Sequence, residues 1–164
     1  MNKATIVSVL MLAVVALGAV LVHHELRSAQ ERPAVQRQLS RTRLDQIAAA
    51  LKAYREQHAA WPDTIVPALH EAKLPLTTTL VRGAGVYRYR KPAADAAPGQ
   101  VVVWSETLHE GIAKGQPWGG EGQVAEADVP PVGYVITTEL TIEALDPATH
   151  AARLPKASIG PVSP

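Results

Sequence analysis

Hydrophobic side chains follow three patterns in turn along the chain, and each pattern predicts a different kind of element. Residues 4–22 carry no charged side chain. As a helix at about 1.5 Å per residue, this run is about 28 Å long, close to the thickness of a bilayer core. From residue 44, apolar side chains recur at steps of three and four, the spacing of an amphipathic helix. From residue 86 they alternate with polar ones, the spacing of β-strands.

The apolar run predicts a transmembrane anchor, or an uncleaved signal, over residues 1–22. A cleaved signal peptide is the alternative, because Lys3 supplies a charged end and Ala16-Leu17-Gly18 is a passable cleavage site. The run is longer than the usual signal core of about 7–15 residues, which favours the anchor.

Arginines follow the run, and by the positive-inside rule they would hold that side of the membrane in the cytoplasm. They are Arg27, Arg32, Arg37, Arg41 and Arg43. A long folded domain can be translocated regardless of such charges, so we expect the C-terminal part to be exported. Residues 23–43 are predicted to form a juxtamembrane helical stalk, kinked where Pro33 removes a backbone donor.

The second pattern predicts a helix that buries one stripe of apolar side chains and ends against Trp61 and Pro62. Proline disfavours helical geometry in the residue before it, so Trp61 is expected to anchor the core at a corner. A second short helix should follow, capped by Asp63 or Thr64. The predicted core residues are Leu44, Ile47, Leu51, Tyr54, Trp61 and Pro62, facing Tyr87 or Val86 and residues 101–103.

The third pattern predicts a small antiparallel sheet. "VYRYR" (86–90) and "QVVVWSE" (100–106) are predicted strands, and "VGYVITT" with "LTIEAL" closes the sheet as a hairpin with Thr138-Glu139 near its turn. We therefore expect an α+β domain over residues 44–145, in which the N-terminal transmembrane helix continues into the long amphipathic helix packed on the sheet. Residues 146–164 are rich in proline and are predicted to be a flexible tail.

Composition excludes some functions. Lysine and arginine number 16 against 15 aspartates and glutamates, for a net charge of +1, so no global field favours nucleic acid as a partner. The chain has no cysteine, which excludes disulfides, thiolate nucleophiles and cysteine-based metal sites.

The segment from Thr107 to Pro131 is predicted to be a long loop, and with the strand before it supplies the candidate interaction residues. His109-Glu110 lacks the second histidine of a zinc-protease motif, so a solvated pair is expected. The loop's carboxylates lack the spacing of a calcium-binding loop, although calcium is the one cofactor they leave open. No catalytic set can be assembled, so we predict a non-enzyme without a cofactor. The candidate interaction residues are Trp104, Glu106, His109, Glu110 and Trp118.

An apolar helix, the continuation "LDQIAAALKAYREQHAAWPDTIVPAL" and a small antiparallel sheet together resemble the pseudopilins and type IV pilin-like proteins of bacterial secretion systems, such as type II secretion. The resemblance covers residues 4–145 and implies a single-pass protein of the inner membrane with its domain in the periplasm. The implied partners are the membrane, other pilin-like subunits or a secretion platform. The matching residues are Ile47, Ala50, Leu51, Tyr54, Trp61, Pro62, Leu69, Leu74 and Pro75.

The chain departs from this family at the N-terminal end. The family's processing site has a glycine before the apolar run and a glutamate within it that is thought to align subunits, whereas here Lys3 is followed by "ATIVSVLM". The leading hypothesis is a structural or accessory component of a secretion or pilus-type assembly. The alternative, which this departure favours, is a free-standing periplasmic binding or sensing domain with a pilin-like fold.

Overall fold

The computed structural model describes residues 11–12, 14–23, 32–81, 85–119 and 122–155. Residues 11–12 and 14–23 are helical. Residues 1–10 and 13 of the predicted anchor lie outside the described residues. Among the helices that the structure describes, none is both long and apolar enough to cross a membrane.

The long helix α1 spans Pro33–His58. Proline suits the first position of a helix, because its φ is already helical and its missing N–H would have no helical partner. At the other end, Ala59 adopts the left-handed conformation with φ 52°, and its N–H donates to the Arg55 carbonyl. The helix thus ends at His58, shortly before Trp61 and Pro62, as predicted.

Helix α1 crosses the predicted boundary between stalk and domain. Residues 33–43, predicted as stalk, are continuous with the residues that form the core, and Ser40 among them is buried. Pro33 therefore begins a helix of the domain. Residues 24–31 lie outside the described ranges, so the predicted kink is not tested.

Short elements connect α1 to the sheet. Helix α2 spans Ile65–Glu71, which confirms the predicted second helix, and a 3₁₀ helix spans Leu76–Thr79. The expected side-chain cap of α2 is absent at Thr64. Asp63 instead accepts a hydrogen bond from Lys91 at 2.7 Å.

The sheet is an antiparallel meander in the order β1-β2-β3-β4-β5. Its strands are β1 (Leu80–Val81), β2 (Gly85–Tyr89), β3 (Val101–Ser105), β4 (Gly133–Thr137) and β5 (Ile142–Leu145). The strands predicted from alternating side chains, and the hairpin that closes the sheet, are confirmed. The two-residue strand β1 was not predicted, since so short a strand carries no periodicity.

One face of the sheet packs on α1. The register aligns Tyr89, Val103, Ile136 and Ile142 across four strands, and all four belong to the main core or pack against it. Tyr89 fixes the corner, because its hydroxyl donates to the Pro62 carbonyl at 2.7 Å. The fold is therefore α+β with one long helix on an antiparallel sheet.

The predicted core is largely confirmed. Leu44, Ile47 and Leu51 are fully buried, as is Pro62. Tyr54 and Trp61 are half-buried and pack against the same cluster. Opposite them lie Tyr87, Val102 and Val103, whereas Val101 joins a second cluster with Val135 and Leu145.

The prediction of little fixed structure after residue 145 was wrong for the described part of the tail. Helix α3 spans Pro147–Arg153, and the Asp146 side chain caps it by accepting the N–H groups of Ala148 and Thr149. His150 is buried, with its ring against Gly133, where a Cβ atom would lie 2.2 Å from that ring. Only a residue without a side chain at position 133 leaves room for this helix.

Candidate interaction surface at the start of the long helix

The helical segment at 14–23 presents apolar side chains to solvent. Its large hydrophobic residues, with Met11 and Leu12 before them, are between 59% and 70% exposed. They are Val14, Val15, Leu17, Val20, Leu21 and Val22. A contiguous apolar surface of this kind marks a site that another molecule or a lipid phase covers.

The segment predicted as a long loop is an irregular two-legged hairpin. We call it the ribbon and define it as residues 106–119 and 122–132. Isolated antiparallel bridges join its legs at three positions. They pair His109 with Val132, Ile112 with Val129, and Pro117 with Val124. The predicted loop is thus an extension of β3 and β4 beyond the sheet.

The ribbon runs along α1 towards the start of the helix. His109 contacts Ser40, and the Glu110 carbonyl accepts a hydrogen bond from Arg37 at 2.8 Å. Further out, the Trp118 carbonyl accepts the N–H of Ala34 at 3.1 Å. As the ribbon advances from 109 to 118, its contacts move back along the helix from 40 to 34. The ribbon tip (residues 117–119 and 122–124) therefore lies at the N-terminal end of α1, which is the end nearer in sequence to the exposed apolar segment.

Backbone carbonyls of the ribbon supply partners that α1 needs at its start. The first N–H groups of a helix have no intrahelical acceptor, and Arg32 at the cap position provides no side-chain cap. The Trp118 carbonyl serves as acceptor for one of them. Arg32 in turn donates to the Gly119 carbonyl at 2.6 Å. Helix and ribbon thus satisfy each other's exposed backbone groups.

A sealed polar contact lies where the ribbon leaves the sheet. The Oγ atom of Ser40 is 2.7 Å from Nε2 of His109, and the two residues are 0% and 3% exposed. The Tyr134 ring meets the imidazole edge-on, with centroids 5.4 Å apart. The Tyr87 hydroxyl donates to the Ser40 carbonyl at 3.3 Å. The expected solvated His109-Glu110 pair was therefore wrong for the histidine, because the ribbon folds it against α1.

Burial fixes the charge of this contact. Burial, followed by the positive charge of Arg37 as the smaller cause, lowers the pKa of His109 to about 4. The imidazole is therefore neutral at pH 7, which suits a hydrogen bond to a hydroxyl in an apolar surrounding. Burial also raises the pKa of Tyr87 to about 12, so its hydroxyl stays protonated.

The serine–histidine contacts offer little chemistry to a substrate. Ser40 is fully buried, and so is Ser105, whose Oγ lies 3.4 Å from Nε2 of His150. Ser105 Oγ already accepts the N–H of Tyr134 at 3.1 Å. The three cavities with described linings at the surface do not reach Ser40 or Ser105. Hydroxyl and imidazole here hold elements together.

The ribbon tip has an apolar, groove-like surface. Val124 is 52% exposed, and Trp118 is half-buried with the Arg37 guanidinium 5.8 Å from its ring centroid. A groove of about 630 Å³ is lined by Trp118, Val124 and Val129, together with small and polar residues of the same legs. This is the largest apolar opening near the start of α1 among the described cavities.

The structure separates the candidate interaction residues into three places. Trp104 lies on β3 in the second cluster, and Glu106 pairs with Arg88 at 2.7 Å. His109 is inside. Glu110 and Trp118 lie on the ribbon beside α1, Glu110 near its base and Trp118 at its tip.

The calcium alternative gains no support from the described carboxylates. Within the described ranges, no group of three or more histidines, aspartates and glutamates is placed to hold a metal ion. Asp128 instead accepts the N–H of Lys114 at 2.8 Å, and Glu106 is engaged by Arg88. Glu121 lies outside the described residues.

Comparisons of the chain with family models, curated proteins and solved structures found no match. The candidate site therefore depends on geometry alone.

At its C-terminal end, α1 is held by a second set of polar contacts. Arg55 stacks on Trp61 with 4.3 Å to the ring centroid and donates to the Thr138 carbonyl at 3.4 Å. A groove of about 630 Å³ lies between this end of the helix and the β4–β5 turn. Leu140, which lines it, has φ 61°, an uncommon conformation for a branched residue.

Sequence reasoning missed the residues of α1 that hold the ribbon. A signal for Ser40 exists, because it lies four positions before Leu44 and so extends the buried stripe by one turn. Arg32 and Arg37 carry no such signal. An arginine that binds backbone carbonyls has the same sequence environment as one that faces solvent.

Proposed function

We propose that this chain is a membrane-anchored, non-enzymatic, pilin-like structural or accessory component of a secretion or pilus-type assembly. Its folded domain lies on the periplasmic side of the inner membrane. The observation that carries the proposal is the exposed apolar helical segment at 14–23, which precedes in the sequence a long helix that packs on an antiparallel sheet.

The exposed side chains of the apolar segment support anchoring in a membrane. Its large side chains keep about two thirds of their surface exposed, although burying one such side chain is worth about 1.5–3 kcal/mol. The uncharged run over 4–22 has the length of a bilayer core. Lipid, or the equivalent helices of neighbouring subunits, would cover this surface.

The burial of the serine hydroxyls supports a non-enzymatic role. The described serine hydroxyls that contact an imidazole are sealed in the domain, and each has a structural hydrogen-bond role. A hydrolytic mechanism needs a nucleophile that its substrate can reach. The domain would therefore act through its surfaces.

The experiment is a crosslinked pull-down from native membranes of the full-length chain carrying a C-terminal tag, with its intact mass recorded in the same sample. Recovery of pilin-like subunits or a secretion platform supports the assembly role. A mass lacking the first residues would reveal a processing site outside the family's pattern.

A matched pair of variants isolates the apolar segment. Leu17→Lys places a charge on the exposed apolar helix, and Leu39→Lys places the same charge at an exposed position of α1. The proposal expects the first variant to leave the membrane fraction and lose its crosslinks, while the second keeps both. Equal behaviour of the two variants would contradict anchoring by this segment.

A free-standing periplasmic binding or sensing domain is the second candidate. The groove between the end of α1 and the β4–β5 turn favours it, since Lys52, Arg55 and Glu139 line an opening of about 630 Å³. The departures from the pilin pattern at the N-terminal end point the same way. Recovery of the unprocessed chain without any assembly partner would select this candidate.

A further inference from the structure

Contacts with α1 place the ribbon tip at the N-terminal end of that helix, which is the end nearer in sequence to the apolar segment. The Gly119 and Trp118 carbonyls are bound to Arg32 and Ala34, the first residues at that end. The residues from 24 to 32 span at most about 32 Å even when fully extended. The tip therefore lies within about 32 Å of the end of the apolar segment.

The side chains at the tip suit the boundary between water and lipid. Trp118 combines a large apolar ring with an indole N–H, the kind of side chain that concentrates at membrane interfaces. Val124 and Pro117 are exposed on the two strands of the tip, which pair with each other.

Acidic side chains outnumber basic ones around the tip. The basic residues Arg32, Arg37 and Lys114 stand against Glu110, Glu121, Glu126 and Asp128 in the sequence of the ribbon and the neighbouring helix turn. A polybasic patch would attract anionic lipid, at about 1 kcal/mol per basic residue, but an excess of carboxylates does not. Contact should therefore depend on the apolar side chains and gain nothing from anionic lipid.

We propose that the ribbon tip contacts the headgroup region of the membrane that holds the apolar segment, and so fixes the domain's orientation on the lipid surface. This inference rests on the proposed function, because it requires the apolar segment to be in a bilayer. Trp118, Val124 and Pro117 form the contact. Arg32 and Arg37 hold the ribbon in place behind it.

The chain has no cysteine, so a single introduced cysteine can be labelled specifically. Full-length protein carrying Val124→Cys is labelled with a polarity-sensitive fluorophore and reconstituted into phosphatidylcholine vesicles, with or without phosphatidylglycerol. Glu139→Cys is the matched control, because it is exposed in the turn at the opposite end of α1. That helix has 26 residues, which makes it about 39 Å long.

The expected result is a blue shift at Val124→Cys, with quenching by lipids that carry a nitroxide on the headgroup, and neither effect at Glu139→Cys. Glu126→Cys, an exposed position lining the same groove, should behave as Val124→Cys does and guards against a poorly folded variant. The shift should be no larger with phosphatidylglycerol than without it.

The contrary outcomes separate the two proposals. A chain that floats with the vesicles but shows no shift at either tip position overturns the tip contact and leaves anchoring intact. A shift that grows with the number of chains per vesicle means that a second copy covers the tip, which also overturns it. A chain that does not float at all overturns anchoring and the tip contact together.

Discussion

The hydroxyl of Ser40 and the imidazole of His109 are joined at 2.7 Å in the interior of the domain, across 69 positions of sequence. The contact ties the buried stripe of α1 to the base of the ribbon. Removing the hydroxyl leaves a buried ring nitrogen without its partner, which costs about 1–3 kcal/mol.

Ser40→Ala should therefore lower the free energy of unfolding by about 2 kcal/mol, measured by urea denaturation at pH 7. Thr42→Ala on the same helix is the control, since Thr42 is exposed and its hydroxyl donates only to the Gln38 carbonyl. That variant should change stability by less than about 0.5 kcal/mol. Equal losses would argue against the Ser40 contact as the cause.

Stability should fall as the pH drops from about 6.5 to about 4. His109 has its pKa lowered to about 4 by burial, so over this range the unfolded chain binds more protons than the folded one. The contribution of His109 to the free energy of unfolding is present in full above pH 6.5. It amounts to about 3 kcal/mol for a pKa lowered from 6.5 to about 4. The pKa of His150 is lowered too, and acts in the same direction.

His109→Gln tests the assignment of this pH dependence. The carboxamide does not titrate, so the slope of unfolding free energy against pH should flatten by the His109 share while that of His150 remains. Measurement at several pH values by denaturant titration suffices. An unchanged slope would place the titrating group elsewhere.

Arg37→Ala should loosen the ribbon without unfolding the sheet. The guanidinium donates to the Glu110 and Pro130 carbonyls, one on each leg, and such charged bonds are worth about 1.5–3 kcal/mol. Hydrogen exchange at the bonded amides of Ile112 and Val129 should accelerate, while amides of the central strands keep their protection. Arg41→Ala, at an exposed position one turn later, should leave both sets unchanged.

Ala59→Gly should stabilise the domain by about 0.5–1 kcal/mol. Ala59 is exposed and left-handed at the end of α1, where glycine avoids the clash of Cβ with the backbone. Ala53→Gly, exposed inside the same helix, should instead destabilise by about 1 kcal/mol. Thermal unfolding of the two variants should therefore shift in opposite directions, and a shared direction would contradict the capping argument.

Trp61→Ala should cost about 2 kcal/mol, less than the ~3–5 kcal/mol of a fully buried tryptophan. The ring is half-buried against the core and covered on one side by Arg55. Denaturant titration checks the value. A loss well below about 1 kcal/mol would make Trp61 a surface residue open to a binding role.

Periodicity alone predicted the parts of the fold whose contacts are apolar. Leu44, Ile47 and Leu51 place α1, and alternation around Tyr87 and Tyr89 places β2, because burial of one face repeats at a fixed step. The same argument failed for α3, whose buried side chain is a histidine. Asp146-Pro147 is nevertheless an N-cap followed by a first-turn proline, and that signal was available.

The docking of the ribbon could not be predicted from the sequence. Several of its contacts with α1 join arginine side chains or helix N–H groups to backbone carbonyls, as Arg37 does at Glu110 and Ala34 at Trp118. Every residue supplies a carbonyl, so no residue type marks the partner. His109 compounds the difficulty, because a histidine beside a glutamate in a polar segment is more often solvated than buried.

The order of contacts along α1 also decides how the domain bears mechanical load. Tension transmitted along the chain from the apolar segment enters the described domain at Arg32, which is bonded to the Gly119 carbonyl, and next at Ala34, bonded to Trp118. The ribbon is thus strained before the sheet is. Pulling on the N-terminal end would peel the ribbon from α1 one bond at a time, while the hydrophobic stripe deeper in the helix still holds.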